Sequence, residues 1–360
     1  MAWTSPRTWV TGELVTASIL NTYVRDNQDA LDDGRLSIAS QAAGDVVYAS
    51  SSTQLARLAK DEGKFLKSGA SAVSWAAVES DIGIVEGRLT ASTGVPVTIA
   101  DVSGTTNIYF TPYAGNRIAL YDGSSAWEVV TFTEITISLG GFTAIKPYDV
   151  FAYNNSGTVT IETLIWTNNT TRATALAYQD GVLVKSGVTT RRYLGTVYIN
   201  AAGGQTEDTM VKRYLWNYYN RISRPLQKLE TTNSWTYTTA TYRQANGAAA
   251  NQVDTVVGVA EVLLNINVLG LAANTSGDNN VTVQVGIDEG GTTANDSTVY
   301  SGPEVANYNA KALHANLTKF PAVGFMHWVW VEKSTALGTT TWYGDNGGAT
   351  QSGIYGSIDG

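Results

Sequence analysis

Between Gly44 and Val78 the apolar residues are scattered: Val46, Val47, Tyr48, Leu55, Leu58, Phe65, Leu66, Val73 and Trp75 follow neither a helical period nor a long alternation. One copy of such a segment cannot close a core, because ordering costs about 1–2 kcal/mol per residue in backbone entropy. The pattern predicts several copies wrapped on a common axis, each burying the others' apolar groups. Upstream, Thr16 is a predicted N-cap for a helix running to about Asp32. Along it Ala17, Leu20, Val24, Asn27 and Leu31 recur at spacings of three and four, which describes a short coiled-coil seam. Asn27 is the kind of polar seam residue that fixes register and oligomer state. An amphipathic helix lying on a neighbouring domain fits the same spacing.

Downstream the text changes to short strand-like runs divided by turn signals. Ile108 to Thr111 and Arg117 to Tyr121 flank Pro112 to Asn116, and Asp122-Gly123 leads into Trp127 to Phe132. Asn154-Asn155-Ser156-Gly157 predicts one hairpin and Asp180-Gly181 another, since Asn, Asp and Gly accept positive φ. After Pro225 and the polar run at Thr231-Thr232-Asn233, alternation becomes strict: Val262, Leu264, Ile266, Val268, then Val281, Val283, Val285, Ile287. Strands this regular predict a jelly-roll-like β-sandwich. In Phe325 to Val331 both faces are apolar, so that strand is expected to be covered by the sandwich core on one side and a neighbouring subunit on the other. The chain therefore reads as mainly β, in four parts: 1–35, an N-terminal segment with a short coiled-coil helix; 36–87, an intertwined shaft; 88–224, a middle antiparallel β domain; 225–360, the C-terminal β-sandwich.

Composition narrows the function. Hydrophobic residues make up 43% and charged residues 15% of 360, with 35 glycines, which suits strands and turns and argues against disorder. A net charge of −8 and the lack of a basic run leave no field for a polyphosphate backbone, so no nucleic-acid partner is expected. The run Lys212 to Arg221 interleaves Tyr214, Leu215, Trp216, Tyr218 and Tyr219 with cations, but the same composition favours an aromatic core or interface over a stacking platform. No stretch of about 18 apolar residues occurs and the start lacks the pattern of a leader peptide, so synthesis in the cytosol without membrane insertion is expected. There are no cysteines, hence no disulfides or thiolate metal sites.

Chemistry is sparse. The two histidines, His314 and His327, have no Gly-x-Ser-x-Gly elbow to serve and no zinc-binding spacing around them. Glu261, Asp288, Glu304 and Glu332 are candidate carboxylates for glycan cleavage, but spacing alone cannot pair them. Neither a P-loop nor a dinucleotide fingerprint is present. No catalytic residue, metal or cofactor is assigned, and a structural or binding protein is expected ahead of an enzyme. The connectors holding Asp278, Asn279, Asn280, Asp288, Asn295 and Asp296 are the expected receptor-binding surface, since exposed loops on a rigid scaffold carry function.

Three stretches resemble virion proteins of tailed bacteriophages. The Gly-Asp, Leu-x-x-Leu, Gly-x-Phe-Leu and Ser-x-Val-x-Trp words of 44–78 resemble the shaft repeat of phage fibres. Trp3, Thr8, Trp9, Gly12, Glu13, Val15, Thr16, Ala17, Asn21, Arg25, Asp26 and Asn27 resemble the N-terminal segment of phage appendage proteins. The words 171–176, 192–196 and 216–221 resemble uncharacterised virion-associated proteins. The resemblance implies a structural phage virion protein of the tail-fibre or head-fibre type. It implies a homotrimer, seamed at Leu20, Val24, Asn27 and Leu31 and attached to other virion proteins through Trp3 and Trp9. Such a protein displays its β domains toward a host-surface glycan or protein. Two alternatives stay open: a head-decorating protein or a tail or collar connector with a purely structural role, and a surface-glycan hydrolase.

Overall fold

The helix begins where the pattern places it: Thr16 is extended (φ −93°, ψ 160°) and its hydroxyl accepts from the Ile19 amide. Ala17–Leu20 is α-helical, Asn21–Arg25 widens into a π-turn, and Asp26–Asp32 returns to α. A computed structural model describes residues 4–5, 7–32, 40, 42–52, 54–62, 64–69, 72–77, 82–278, 281–301 and 309–360. Trp3, Asn279, Asn280 and Glu304 lie outside these residues, as does the side chain of Leu31.

The seam residues separate. Leu20 and Val24 are exposed, whereas Asn27 is buried. Asn27 Nδ2 donates to the carbonyls of Thr4 and Tyr23, and its Oδ1 accepts from the Thr4 amide at 2.8 Å. Within the single chain Asn27 thus clips the segment before the helix. The π-turn accounts for the difference, because one extra residue in a turn rotates everything after it relative to a regular three–four pattern.

The chain divides into two compact units, Met1–Glu79 and Ser80–Gly360. In the first, after the helix, Val46–Ala49 pairs antiparallel with Leu55–Leu58, and Lys64–Ser68 pairs with Val73–Ala77. Each pair is a separate two-stranded sheet. Asp45 holds the first together: its carboxylate accepts from the Ala42 and Lys60 amides and from Arg57 Nε. Those bonds, the amides first, hold its pKa below the usual carboxylate range. Yet no described residue from 42 to 76 is buried.

The second unit is built from largely antiparallel sheets around two main cores. One seven-stranded sheet runs Arg243–Gln244, Gly324–Lys333, Gln252–Val257, Lys212–Arg213, Thr206–Asp208, Val102–Thr105, with Gln284–Glu289 on the other side of Gly324–Lys333. A second places Leu264–Asn274 at its centre, between Lys311–Lys319 and Gly353–Asp359, with Ser223–Leu229 on the outside. Their facing sides supply one apolar core, including Val253, Val285, Trp328 and Trp330 from the first and Leu264, Ile266, Leu317 and Trp342 from the second, a β-sandwich-like arrangement. A six-stranded sheet orders Thr158–Ile165, Lys146–Asn155, Val188–Ile199, Val182–Lys185 and Leu176–Gln179, with Leu215–Asn217 beside Val188–Ile199. It shares a second core with the three-stranded sheet of Gly87–Thr90, Asn107–Pro112 and Ile135–Ser138.

Both predicted hairpins form, and each turns through two consecutive positive-φ residues, Ser156-Gly157 and Asp180-Gly181, the combination that matches strand twist. The period-two residues Leu264, Ile266 and Val268 are all buried. The expected borders are displaced. Val85, expected in the shaft, belongs to the second unit's core, and the expected division at 224/225 falls inside that unit. Tyr193, Tyr198 and Trp216 pack in the same core as Val253 and Trp328, and Lys212–Arg213 pairs parallel with Asp254 and Thr255. Turn residues near Pro225 signal a change of strand, which the pattern cannot distinguish from a change of domain.

The strand Gly324–Lys333 departs from expectation as well. Trp328, Val329, Trp330 and Val331 are buried within this one chain, so its second face requires no neighbouring subunit. Sheets on both sides of one body produce the same doubly apolar text as a subunit interface.

Candidate functional site

Three strands bring a row of polar residues to one place. Gln252–Val257 pairs parallel with Lys212–Arg213, setting Lys212 opposite Asp254, and antiparallel with Gly324–Lys333, setting His327 opposite Asp254. Register alone therefore lines up Lys212, Asp254 and His327. Beside them the Tyr198 amide donates to the Tyr214 carbonyl at 2.8 Å.

The row borders a cleft of about 500 Å³ whose walls include Tyr198, Asn200, Glu207, Tyr214 and Phe325 as well as the three polar residues. Its aromatic side is rigid: the Tyr198 and Phe325 rings stack at 3.9 Å with 5° between planes, and Tyr214 meets both edge-on. His327 packs its ring edge-to-face on Phe325 at 4.8 Å. Burial pushes the Tyr198 hydroxyl up to about 12, and burial followed by the Asp254 charge pushes Tyr214 up as well. Both therefore stay neutral hydrogen-bonding groups at ordinary pH.

Asp254 is buried and fully engaged. One carboxylate oxygen accepts from Gln252 Nε2 at 2.8 Å and lies 2.9 Å from His327 Nδ1; the other accepts from the Tyr214 hydroxyl at 3.1 Å. Nδ1 also lies 2.8 Å from Gln252 Nε2, so two groups fix the imidazole ring on that side, and among the described residues Nε2 has no hydrogen-bond partner. The His327 side chain is 43% exposed. On the next strand of the same sheet Glu207 accepts from Lys212 Nζ at 3.1 Å and from Asn200 Nδ2 at 3.2 Å. The arrangement offers a ligand an oriented imidazole, a neutralised lysine–carboxylate pair and amide groups over an aromatic wall. It is suited to holding a polar molecule. The lining has no serine, threonine or cysteine, and no cluster of three metal-ligating side chains occurs among the described residues.

Apart from His327 and the Lys212 and Tyr214 of the aromatic run, the residues singled out in the sequence fall elsewhere. Trp9 is exposed in the first unit. Asp288 is buried and staples its own loop, accepting from the amides of Gly291, Thr293 and Ala294. Asn295 Oδ1 accepts from the Ile287 and Ser297 amides, and Asp296 accepts from the Glu289 amide. These three side chains hold the connector's shape; Asp278 is exposed, its amide donating to Ser276 Oγ. Among the carboxylates, Glu261 pairs with Arg221 at 2.6 Å and Glu332 with Arg243 at 2.7 Å, neither in the cleft. His314 lies 3.3 Å from Asn267 Oδ1.

The apolar text around His327 is that of a packed core residue, no motif points to Glu207, and Lys212 opens an aromatic run whose composition favours a core or interface. For Asp254 a signal is present: it is a lone carboxylate inside the strand-like run Gln252 to Val257, and a buried acid needs partners.

No family model matches the chain, and no curated protein does. Among solved structures it is similar to the mosquito-larvicidal Cry4Aa toxin from Bacillus thuringiensis, with 10% identity over 72% of this chain and 51% of that one and a TM-score of 0.18. It is similar to a Bacillus thuringiensis Cry1Da tryptic core variant with 6% identity over 71% of this chain and 48% of that one, TM-score 0.17. A carbohydrate-binding module of the β-sandwich superfamily matches with 12% identity over 69% of this chain and 97% of that one, TM-score 0.19. The chain spans about half the length of the two toxins. Similarity this slight carries no functional argument.

Proposed function

We infer that this chain is a structural phage virion protein, a homotrimeric fibre that attaches to the particle by its N-terminal segment and presents its β body to a host-surface glycan or protein. One observation carries the reading. The first unit leaves its apolar residues in water: Val47 is 37% exposed, Leu55 51%, and Phe65 and Leu66 46% each, on isolated two-stranded pairs. A lone hairpin is marginally stable at best, and burying such side chains is worth about 1.5–3 kcal/mol apiece. Identical copies wound together supply the missing cover. The exposed Leu20 and Val24 add a stripe on the helix that a sibling's helix can meet.

The cleft of His327 and Asp254 is the surface of the body best formed to hold a host ligand, in place of the connector of Asp288 and Asp296, whose carboxylates are turned to their own loop. Three copies on one particle multiply a modest contact into strong adhesion. Pre-incubating host cells with the purified chain tests this: it blocks adsorption of the phage that carries the protein. Undiminished adsorption at saturating protein contradicts the adhesive role.

A further inference from the structure

Two strands of the body end their sheets with one side unpaired. Among the described residues Ile135–Ser138 pairs only with Asn107–Pro112, and Thr158–Ile165 only with Lys146–Asn155. Among the described residues neither bonds to the other. A groove runs between them in two halves, about 340 Å³ bordered by Phe132, Ile135 and Val159 and about 300 Å³ bordered by Ile137, Phe142 and Ile161, with threonines on the rim. None of the residues lining either half is charged.

Free edges are ordinarily blunted by charge or proline, as on Ser223–Leu229, which carries Pro225 and Lys228. These two edges are not. The one charge on them, Glu162, is bound by Lys185 and Arg191. A ladder of outward main-chain donors and acceptors is matched in spacing only by another extended polypeptide, and an apolar floor with a neutral rim accepts an uncharged strand.

We propose that this groove takes an edge strand from a second copy of the chain, extending the six-stranded sheet across the boundary between copies. Charge selects the place. Copies each carrying −8 repel wherever acidic faces meet, and here they meet without charge. The proposal rests on the multi-copy reading above, under which siblings are held close enough for a weak edge contact to form.

Hydrogen exchange read by mass spectrometry on the full chain tests it, with sedimentation run on the same samples. In the assembled protein the outward amides of 135–138 and 158–165 exchange at least about tenfold more slowly than in the dilute, dissociated chain. Ile161→Lys, or the milder rim substitution Thr160→Lys if the first does not fold, restores fast exchange while the assembly keeps its mass. Assembled protein whose two edges exchange as quickly as its exposed loops overturns this proposal and leaves the fibre reading standing. A chain that remains a monomer at every concentration overturns both.

Discussion

Trp235 donates its indole N–H to a Glu332 carboxylate oxygen at 2.8 Å, inside a core from which the Glu332 side chain has no access to water. The other oxygen accepts from Arg243 Nε at 2.8 Å and from the Asn246 amide at 3.2 Å. Burial outweighs these bonds and raises the Glu332 pKa to about 7. The pair thus anchors Ser234–Thr236 and Arg243–Gln244 onto the strand Gly324–Lys333 at a cost that depends on pH.

That cost has a definite sign. An acid whose folded pKa is raised binds more protons folded than unfolded, so its contribution to stability falls as pH rises from about 4.5 through about 7. The expected loss is on the order of 3 kcal/mol, since a tenfold change in proton affinity corresponds to about 1.4 kcal/mol. Urea unfolding at pH 5, 6 and 7 checks it: the stability of the native chain declines relative to Glu332→Gln over that window. A constant difference between the two would show that the carboxylate is not strained by burial.

The buried Asp149 carboxylate accepts from Arg172 Nε at 2.7 Å and from the Thr196 hydroxyl at 2.8 Å, while Arg172 Nη2 donates to the Gly258 carbonyl at 2.6 Å. This network ties the six-stranded sheet to the turn after Gln252–Val257, across the division expected at 224/225. Desolvation raises the Asp149 pKa in spite of Arg172. Arg172→Met leaves the acid unpaired and is expected to destabilise the second unit by about 3–5 kcal/mol at pH 8, less at pH 5, where the carboxyl takes up a proton. Thermal unfolding at the two pH values measures the difference.

Gly258 has no room for a side chain: a Cβ there lies 2.0 Å from the Tyr193 hydroxyl and 2.6 Å from the Trp216 ring. Gly258→Ala forces apart residues that join the two halves of the main core, and a loss of about 1–3 kcal/mol is expected in denaturant unfolding. An unchanged midpoint would mean that these rings are loosely packed.

At the cleft, His327→Ala removes the oriented imidazole together with its contacts to Phe325 and the buried Asp254. Adsorption to host cells is expected to fall about tenfold per site, the effect of one lost hydrogen bond with its ring packing, while the chain stays folded with a stability loss of about 1–3 kcal/mol from the partner taken from Asp254. Asp278→Ala, on a connector, serves as the control and leaves adsorption unchanged.

How much of this was legible in the sequence depends on the range of the interaction. Thr16 as a cap, the turns at Ser156-Gly157 and Asp180-Gly181, and the alternation of Leu264, Ile266 and Val268 are local properties of residue type, and they appear where expected. The cleft is a product of register. Lys212, Asp254 and His327 are far apart in the chain and meet only because two strands flank Gln252–Val257. Asp288 and Asn295 mislead because a carboxylate or amide in a Gly- and Thr-rich loop has two uses, facing a ligand or capping the loop's own amides, and composition is the same for both. The doubly buried Trp328 to Val331 misleads similarly, since apolar text does not record whose surface covers it.

The central claim is that the first unit finds its cover in other copies. Sedimentation of the intact chain over a range of concentrations, with limited proteolysis of the same samples, measures this directly. The expected result is a species of three times the 38.4 kDa of one chain, with residues 44–77 resisting protease while it persists and cut once it dissociates. A monomer whose residues 44–77 resist protease as well as the β body does would contradict it.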